Sequence, residues 1–402
     1  MAFNSKSYKI FVSILLIQLA LIVNVVANCN GHYEREILFL ADGQYYSHFV
    51  LATFLIADYG SNPQIRPNNA VDLDIGQEVQ SLTNGGIRSI SVPMDHAFER
   101  SFFHGMTQMQ LPSNWAQETI STDLPVYWKM SRCRTVTFYQ AVIRNTALLE
   151  RLKSIEFSLG IAEIGSITSG FALFYELGIV NTIATSATPA MPVFYHFLGL
   201  GIPIEVPEHY SAQRGDGLVN SELRIEDSER QNTNRAKLEE FIYNIQNIYS
   251  NEYDGIYVNA QQYNTSNIRL KPIPPLSQLF ANVRYFLVNH ASIAAYPRPI
   301  NEKIGYIGGI SIGEQMLEVY REKLMTGSHI HSVYHPKALY AAVPVICIPL
   351  LGDQRYNTSV VEYLGVGMWV SAPEFHHQFP EAMEAVLGKK YKKIIGFSDN
   401  SK

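Results

Sequence analysis

Histidines, carboxylates and carboxamides standing just past apolar runs are the residues here whose types and spacing suit group transfer. Asp353 and Gln354 directly follow Pro344-Val-Ile-Cys-Ile-Pro-Leu-Leu351, an unbroken apolar run that reads as a buried strand. Side by side, a carboxylate and a carboxamide offer acceptors and donors together, as an array of sugar hydroxyls requires. Asp is also a common helix N-cap, so a capping Asp353 beside a solvated Gln354 is the competing reading. His48 stands between the apolar run Ile37 to Ala41 and a helically spaced stretch, 48–57. The partial positive charge of a helix N-terminus opposes an imidazolium, so a histidine there stays neutral and can act as a general base near neutral pH. The alternative is a structural or surface histidine. Glu163 closes a second apolar run, Phe157 to Ala162, in the same manner. A carboxylate near His48 would hold the ring's tautomer and stabilise the charge formed on proton abstraction; otherwise Glu163 is simply an acid at a helix N-terminus. His329 and His331 have the spacing of one strand face, but no third ligand accompanies them and no cysteine and histidine cluster has zinc spacing. No metal is expected.

These residues need elements to place them. Ile37 to Ala41, a polar loop 42–47 and the stretch 48–57 make a βα unit, and 157–162, the helix-like 170–177 and a strand over 179–185 repeat it. Repeated βα units predict an α/β fold with a parallel sheet covered on both faces. In such sheets ligands bind beyond the carboxyl ends of the strands, where His48, Glu163 and the Asp353-Gln354 pair all fall. Tyr356 to Leu364 then reads as a helix closed by Gly365 and Gly367. From Pro207 to Asp254 the composition turns polar, and this predicts a surface segment leading into a helix over 237–248. The stretches 287–300 and 304–310 read as the passage between two domains.

Composition narrows the class. A chain of 402 residues, 47% hydrophobic and 17% charged, has room for two globular domains. A net charge of −5, with Lys and Arg scattered except at Lys389-Lys-Tyr-Lys-Lys393, argues against nucleic-acid binding. Lys6 and Lys9 precede the mainly apolar run Ile10 to Ala27, with Val25-Val26-Ala27 before Asn28, as in a secretory signal. The run also approaches the length of a membrane span, so an uncleaved anchor is the alternative. No later stretch is long and apolar enough to cross a bilayer. Three cysteines form no framework, and Cys347 falls inside the apolar run as a small hydrophobe. Asn264 and Asn357 open glycosylation sequons; Asn264, among polar residues, is the expected glycan site, whereas a glycan on Asn357 would block any ligand at Asp353.

Together these residues resemble the UDP-glycosyltransferase family of animal drug- and lipid-conjugating enzymes, its invertebrate branch in particular. "EILFLADGQYYSHFVLATFLIADYG" resembles the family's opening strand, Ser-His and following helix, and "FSLGIAEIGSITSGFALFYELGIVNTIATSA" the segment carrying its acidic partner. "LVNHASIAAYPRPINEKIGYIGGI" is similar to its domain-crossing stretch. The family signature can be laid on Ser328 to Pro344 without a gap, placing His329 on the signature histidine and Asp353, Gln354 and Asn357 on the Asp-Gln-x-x-Asn that follows. The resemblance implies a GT-B arrangement of two Rossmann-like domains, with a signal peptide over 1–27, an acceptor-binding domain over 28–297 and a UDP-sugar-binding domain over 298–402. It implies transfer of a hexosyl or glucuronosyl group from a UDP-sugar co-substrate to a hydroxyl of a small lipophilic acceptor with inversion. His48 would be the base and Glu163 its partner. His329, Asp353, Gln354 and Asn357 would hold the donor, without a metal or a further cofactor. The place of action would be the lumen of the endoplasmic reticulum, or outside the cell.

The sequence departs from the family at the nucleotide. Ile330 and His331 replace two glycines that let the backbone approach the diphosphate, and Lys337 stands where a glutamate binds the ribose. Ser328 follows Ile310 within about one helix, so the second domain is expected to be truncated, and the family's C-terminal membrane helix and basic tail are not in the sequence. An alternative is therefore a catalytically impaired member that binds small lipophiles.

Overall fold

The computed structural model describes residues 36–42, 55–58, 79–80, 88–93, 138–164, 168–186, 188–209, 211–263, 270–292, 295–308, 344–349 and 353–388. In chain order the strands are β1 (Glu36–Asp42), β2 (Leu55–Asp58), β3 (Val79–Gln80), β4 (Arg88–Pro93), β5 (Phe157–Glu163), β6 (Thr182–Ser186), β7 (Tyr285–Val288), β8 (Ile304–Tyr306), β9 (Val345–Cys347) and β10 (Gly367–Trp369). The helices used below are α1 (Thr146–Ser154), α2 (Ser169–Leu177), α3 (Pro192–Phe197), α4 (Glu229–Tyr263), α5 (Leu276–Ala281), α6 (Gln354–Leu364) and α7 (Phe375–Leu387). The chain divides into two compact units, one drawn from 1–103, 129–187 and 246–287, the other from 104–128, 188–245 and 288–402.

In the first unit the strands run in the order β3-β4-β2-β1-β5-β6-β7. β1 pairs in parallel with both β2 and β5, β2 with β4, and β5 with β6, while β3 alone is antiparallel to β4. This is the parallel α/β sheet expected from the repeated βα pattern. One expectation fails inside it: the helix read over 48–57 ends in a strand, since Leu55–Asp58 pair with β1 and β4. A central parallel strand is apolar on both faces, so a short apolar run has no period by which to tell it from a buried helix. Residues 48–54 lie outside the described residues. Helix α2 packs its Phe171 and Phe174 inward, and Phe171, Phe280 and Phe286 continue an edge-to-face chain, with centroids 6.2 Å and 5.4 Å apart. The buried Glu176 of α2 accepts from Lys153 Nζ at 2.6 Å and from the Lys271 backbone N–H at 2.9 Å, so its charge is matched where it is dry.

In the second unit β9 and β10 are parallel, Val345 beside Gly367 and Cys347 beside Trp369, with α6 between them in sequence. Helix α6 stops where expected: Gly365 takes φ +66°, a left-handed cap that a side chain would strain. The polar stretch from Pro207 onward is only in part the surface segment its composition predicts: Arg214, Glu222, Glu226, Asp227 and Glu229 are exposed, but others are not. Glu208, His209, Asp216, Arg230, Gln231 and Asn234 are all buried. Arg230 donates to both carboxylate oxygens of Asp216, at 2.9 and 2.6 Å, and Asn234 accepts from the Glu208 N–H at 2.9 Å while donating to the carbonyls of Ile204 and Val206. Polar side chains that satisfy one another can be buried at little cost, which composition alone does not reveal. Helix α4 likewise extends on both sides of the expected 237–248.

Candidate functional site

The site is built outward from α6. Strand β9 ends at Cys347, and Asp353 takes the N-cap position of α6 at φ −78°, ψ −1°. In that conformation its side chain makes no capping bond to the helix backbone. Its Oδ2 instead accepts from Asn357 Nδ2 at 2.8 Å, one helical turn on. The Gln354 carbonyl accepts from the Thr358 hydroxyl at 2.7 Å. Asn357 Oδ1 is buried and has no partner among the described residues. Asp353, Gln354 and Asn357 are thus gathered on the first turn of one helix, half-buried, just beyond the carboxyl end of β9. This arrangement supplies acceptors at fixed positions for hydroxyl donors.

The 206–217 segment holds α6 in place. Tyr356 is 2% exposed and packs with Val206, Tyr296 and Val360. Arg355 Nε donates to the Ala212 carbonyl at 2.8 Å, and Glu362 Oε2 accepts from the Gly215 N–H at 2.9 Å. At Gly217 a Cβ would run into the Ser359 carbonyl oxygen and come within 2.6 Å of Glu362 Cβ, so the backbones meet only because that residue has no side chain. Burial is the main reason the Glu362 carboxyl is pushed up to about 7. It lowers His209 to about 3 and His290 to about 4, with Arg298 adding to both, so both imidazoles stay neutral. Arg298 Nη2 donates to the Tyr356 hydroxyl at 2.7 Å, and the guanidinium carbon lies 4.8 Å from the Tyr195 ring centroid. None of this cluster was singled out from sequence. Its one signal was an arginine between two prolines, Pro297-Arg298-Pro299, in a stretch read as a passage between domains.

Among the other expected site residues, Glu163 is the last residue of β5 and 7% exposed. Its strand neighbour is β1, with Leu40 beside Ala162, and β1 ends at Asp42, six residues before His48. Neighbouring parallel strands thus deliver Glu163 and the start of the His48 segment to the same sheet edge. His48 and His329 themselves lie outside the described residues, as do Asn264, Ile330, His331 and Lys337. Glu163 belongs to the first unit and the α6 residues to the second. Cys347 is a free thiol in β9, pushed up to about 12 by burial. Among the described residues no cluster of three metal-ligating side chains occurs, and no helix is long and apolar enough to cross a membrane.

Residues 321–398, which include β9, α6, β10 and α7, match the family model of UDP-glucuronosyl and UDP-glucosyl transferases. No curated protein matches the chain. Among solved structures the chain is similar to the glycotransferase of kitacinnamycin, with 10% identity, a TM-score of 0.43, and 90% of this chain and 94% of that one covered.

Proposed function

We propose that the chain is a UDP-glycosyltransferase with two Rossmann-like domains in the GT-B arrangement. The observation that carries this is the state of Asp353. It sits in the segment matched by the transferase family model, at the N-cap of α6, yet leaves the helix backbone uncapped and bonds Asn357 instead. A carboxylate held by a neighbouring carboxamide beyond a strand's carboxyl end is arranged for ligand hydroxyls.

On this reading Asp353, Gln354 and Asn357, with His329, hold the donor sugar and its diphosphate. His48, oriented by Glu163, takes the proton of an acceptor hydroxyl on a small lipophilic molecule. The acceptor oxygen forms a bond to the anomeric carbon from the face opposite the nucleotide, the anomeric carbon–oxygen bond breaks with inversion, and UDP leaves with the electron pair. Glu163, buried at the end of β5 beside β1, supports its part in this scheme. The reaction would take place in the secretory pathway after removal of the signal segment, without a bound metal.

A second reading is favoured by Ile330, His331 and Lys337, which replace the glycines and the glutamate that the nucleotide needs. It is a small-lipophile binder that no longer takes a UDP-sugar. Calorimetry of the purified chain from Asn28 with UDP-glucose and UDP-glucuronic acid separates the two. Saturable binding that is lost in Asp353→Ala, together with transfer lost in His48→Ala, is the expected result; a folded protein that binds neither nucleotide sugar overturns the transferase reading.

A further inference from the structure

The first turn of α6 has little of its own to hold it. Asp353 makes no capping bond to the helix backbone, the leading N–H groups of any helix have no partner within it, and helix ends fray. Yet Asp353 and Asn357 stand one turn apart on a common face, bonded to each other, and that face must stay in place beyond β9 to meet a ligand.

Arg355 lies between them in sequence and leaves the helix on the other side, since two residues turn an α-helix by about 200°. Its Nε donates to the Ala212 carbonyl at 2.8 Å, and its guanidinium carbon lies 5.6 Å from the ring centroid of Trp369 in β10. Both supports are fixed. Ala212 is wholly buried and its N–H donates to the Glu208 carbonyl at 3.0 Å, while Arg230 Nη2 donates at 3.0 Å to the carbonyl of Ser211, the residue before it. Trp369 is 4% exposed and pairs with Cys347 of β9. Arg355 therefore ties the turn that carries Asp353 and Asn357 both to a buried stretch of chain and to the strand beside β9, through a charge-assisted hydrogen bond and a cation over an indole. A lysine would not do the same, because its ammonium lies one bond farther from the backbone than Nε and has no flat face to lay on a ring.

We infer that Arg355 is a positioning residue of the proposed donor site: it fixes the first turn of α6, so that Asp353 and Asn357 meet the donor hydroxyls, and does not itself touch the donor. The inference rests on the transferase reading.

The test uses the full chain and Arg355→Met, which keeps an aliphatic stem and removes the guanidinium. Hydrogen exchange without nucleotide reads the turn. The Asn357 N–H, bonded to the Asp353 carbonyl at 2.9 Å, is expected to exchange at least about fivefold faster in Arg355→Met, with the amides of α7 unchanged. Calorimetry with UDP-glucose reads the site. Arg355→Met and Asp353→Asn are each expected to weaken binding about tenfold, and the two together by well under about a hundredfold, because one residue acts through the other. Should Arg355→Met fail to fold by circular dichroism, Arg355→Lys takes its place with the same expected directions. Unchanged exchange at Asn357, exchange raised equally in α6 and α7, binding by the variant equal to the parent's, or a double variant weakened by the full product of the single losses overturns the inference. A parent chain that binds no UDP-glucose overturns the transferase reading, and the inference with it; faster exchange at Asn357 would then leave Arg355 a brace of the helix alone.

Discussion

His209 lies flat on Tyr356, ring centroids 4.2 Å apart and planes 5° from parallel. Its Nε2–H donates to the Pro189 carbonyl at 3.1 Å, which leaves Nδ1 as the bare nitrogen. The stack thus joins the polar 206–217 segment to the helix that carries the candidate donor residues, and burial, then Arg298, keep its imidazole uncharged.

The first prediction concerns acid. Burial, then Arg298, hold His209 near 3 against an ordinary value of 6.5, so between those pH values the unfolded chain binds a proton that the folded chain does not. Stability is therefore full above about pH 6.5 and falls as the pH drops toward 3, by about 1.4 kcal/mol for each unit of pKa separation. His290 contributes a slope of the same sign. Urea melts of His209→Gln are expected to show a shallower loss between pH 6.5 and 4 than the parent; an unchanged slope would remove His209 from the account.

Glu362 has the opposite sign. Burial chiefly pushes its carboxyl up to about 7 from 4.5, although the Gly215 N–H and Arg214 pull the other way. The folded chain then holds a proton that the unfolded chain has released, and stability falls as pH rises from 4.5 to 7. Glu362→Gln keeps an oxygen for the Gly215 N–H and removes the charge. It is expected to raise Tm at pH 8 by about 2 °C or more, and to leave Tm at pH 4.5 nearly unchanged.

Asp353→Asn distinguishes a ligand-binding residue from a helix cap. Because the Asp353 side chain makes no capping bond, the substitution is expected to change stability by less than about 0.5 kcal/mol, where a lost cap costs about 1 kcal/mol. UDP-sugar affinity is expected to fall by about tenfold or more through loss of a charged acceptor. Urea melts and calorimetry on the same preparation read both quantities.

Asn357 is expected to carry no glycan although it opens a sequon. Its Nδ2 is engaged with Asp353, and the next two residues, Thr358 and Ser359, are 3% and 0% exposed inside α6. Peptide mapping of protein made in a secretory host should recover the Asn357 peptide unmodified, and a glycan found there would contradict the packing of α6.

Much of this was legible in the chain, and the parts that were not share a cause. The runs 37–41 and 157–162 announced parallel strands because both faces of such a strand are buried and both must be apolar, and Gly365 announced the end of α6 because a left-handed cap selects for glycine. The position of Asp353 and Gln354 beyond a strand followed from the same pattern. Residues 55–57 were misread as helix because a short apolar run carries no period, and only the pairing of Leu55–Asp58 with β1 and β4 decides it. The polar stretch after Pro207 is surface only in part, because composition counts charges without showing that Asp216 meets Arg230 or that Asn234 satisfies the Val206 carbonyl. Arg298, His209 and Tyr356 stand far apart in the sequence, and no local signal ties a guanidinium to a phenol 58 residues away. By itself the sequence determined the strands 37–41 and 157–162, the glycine end of α6 and the residue types waiting beyond the strands, since these depend on neighbours along the chain. The tertiary structure decided which charges are dry and which of them meet a partner, since these depend on what folding brings alongside.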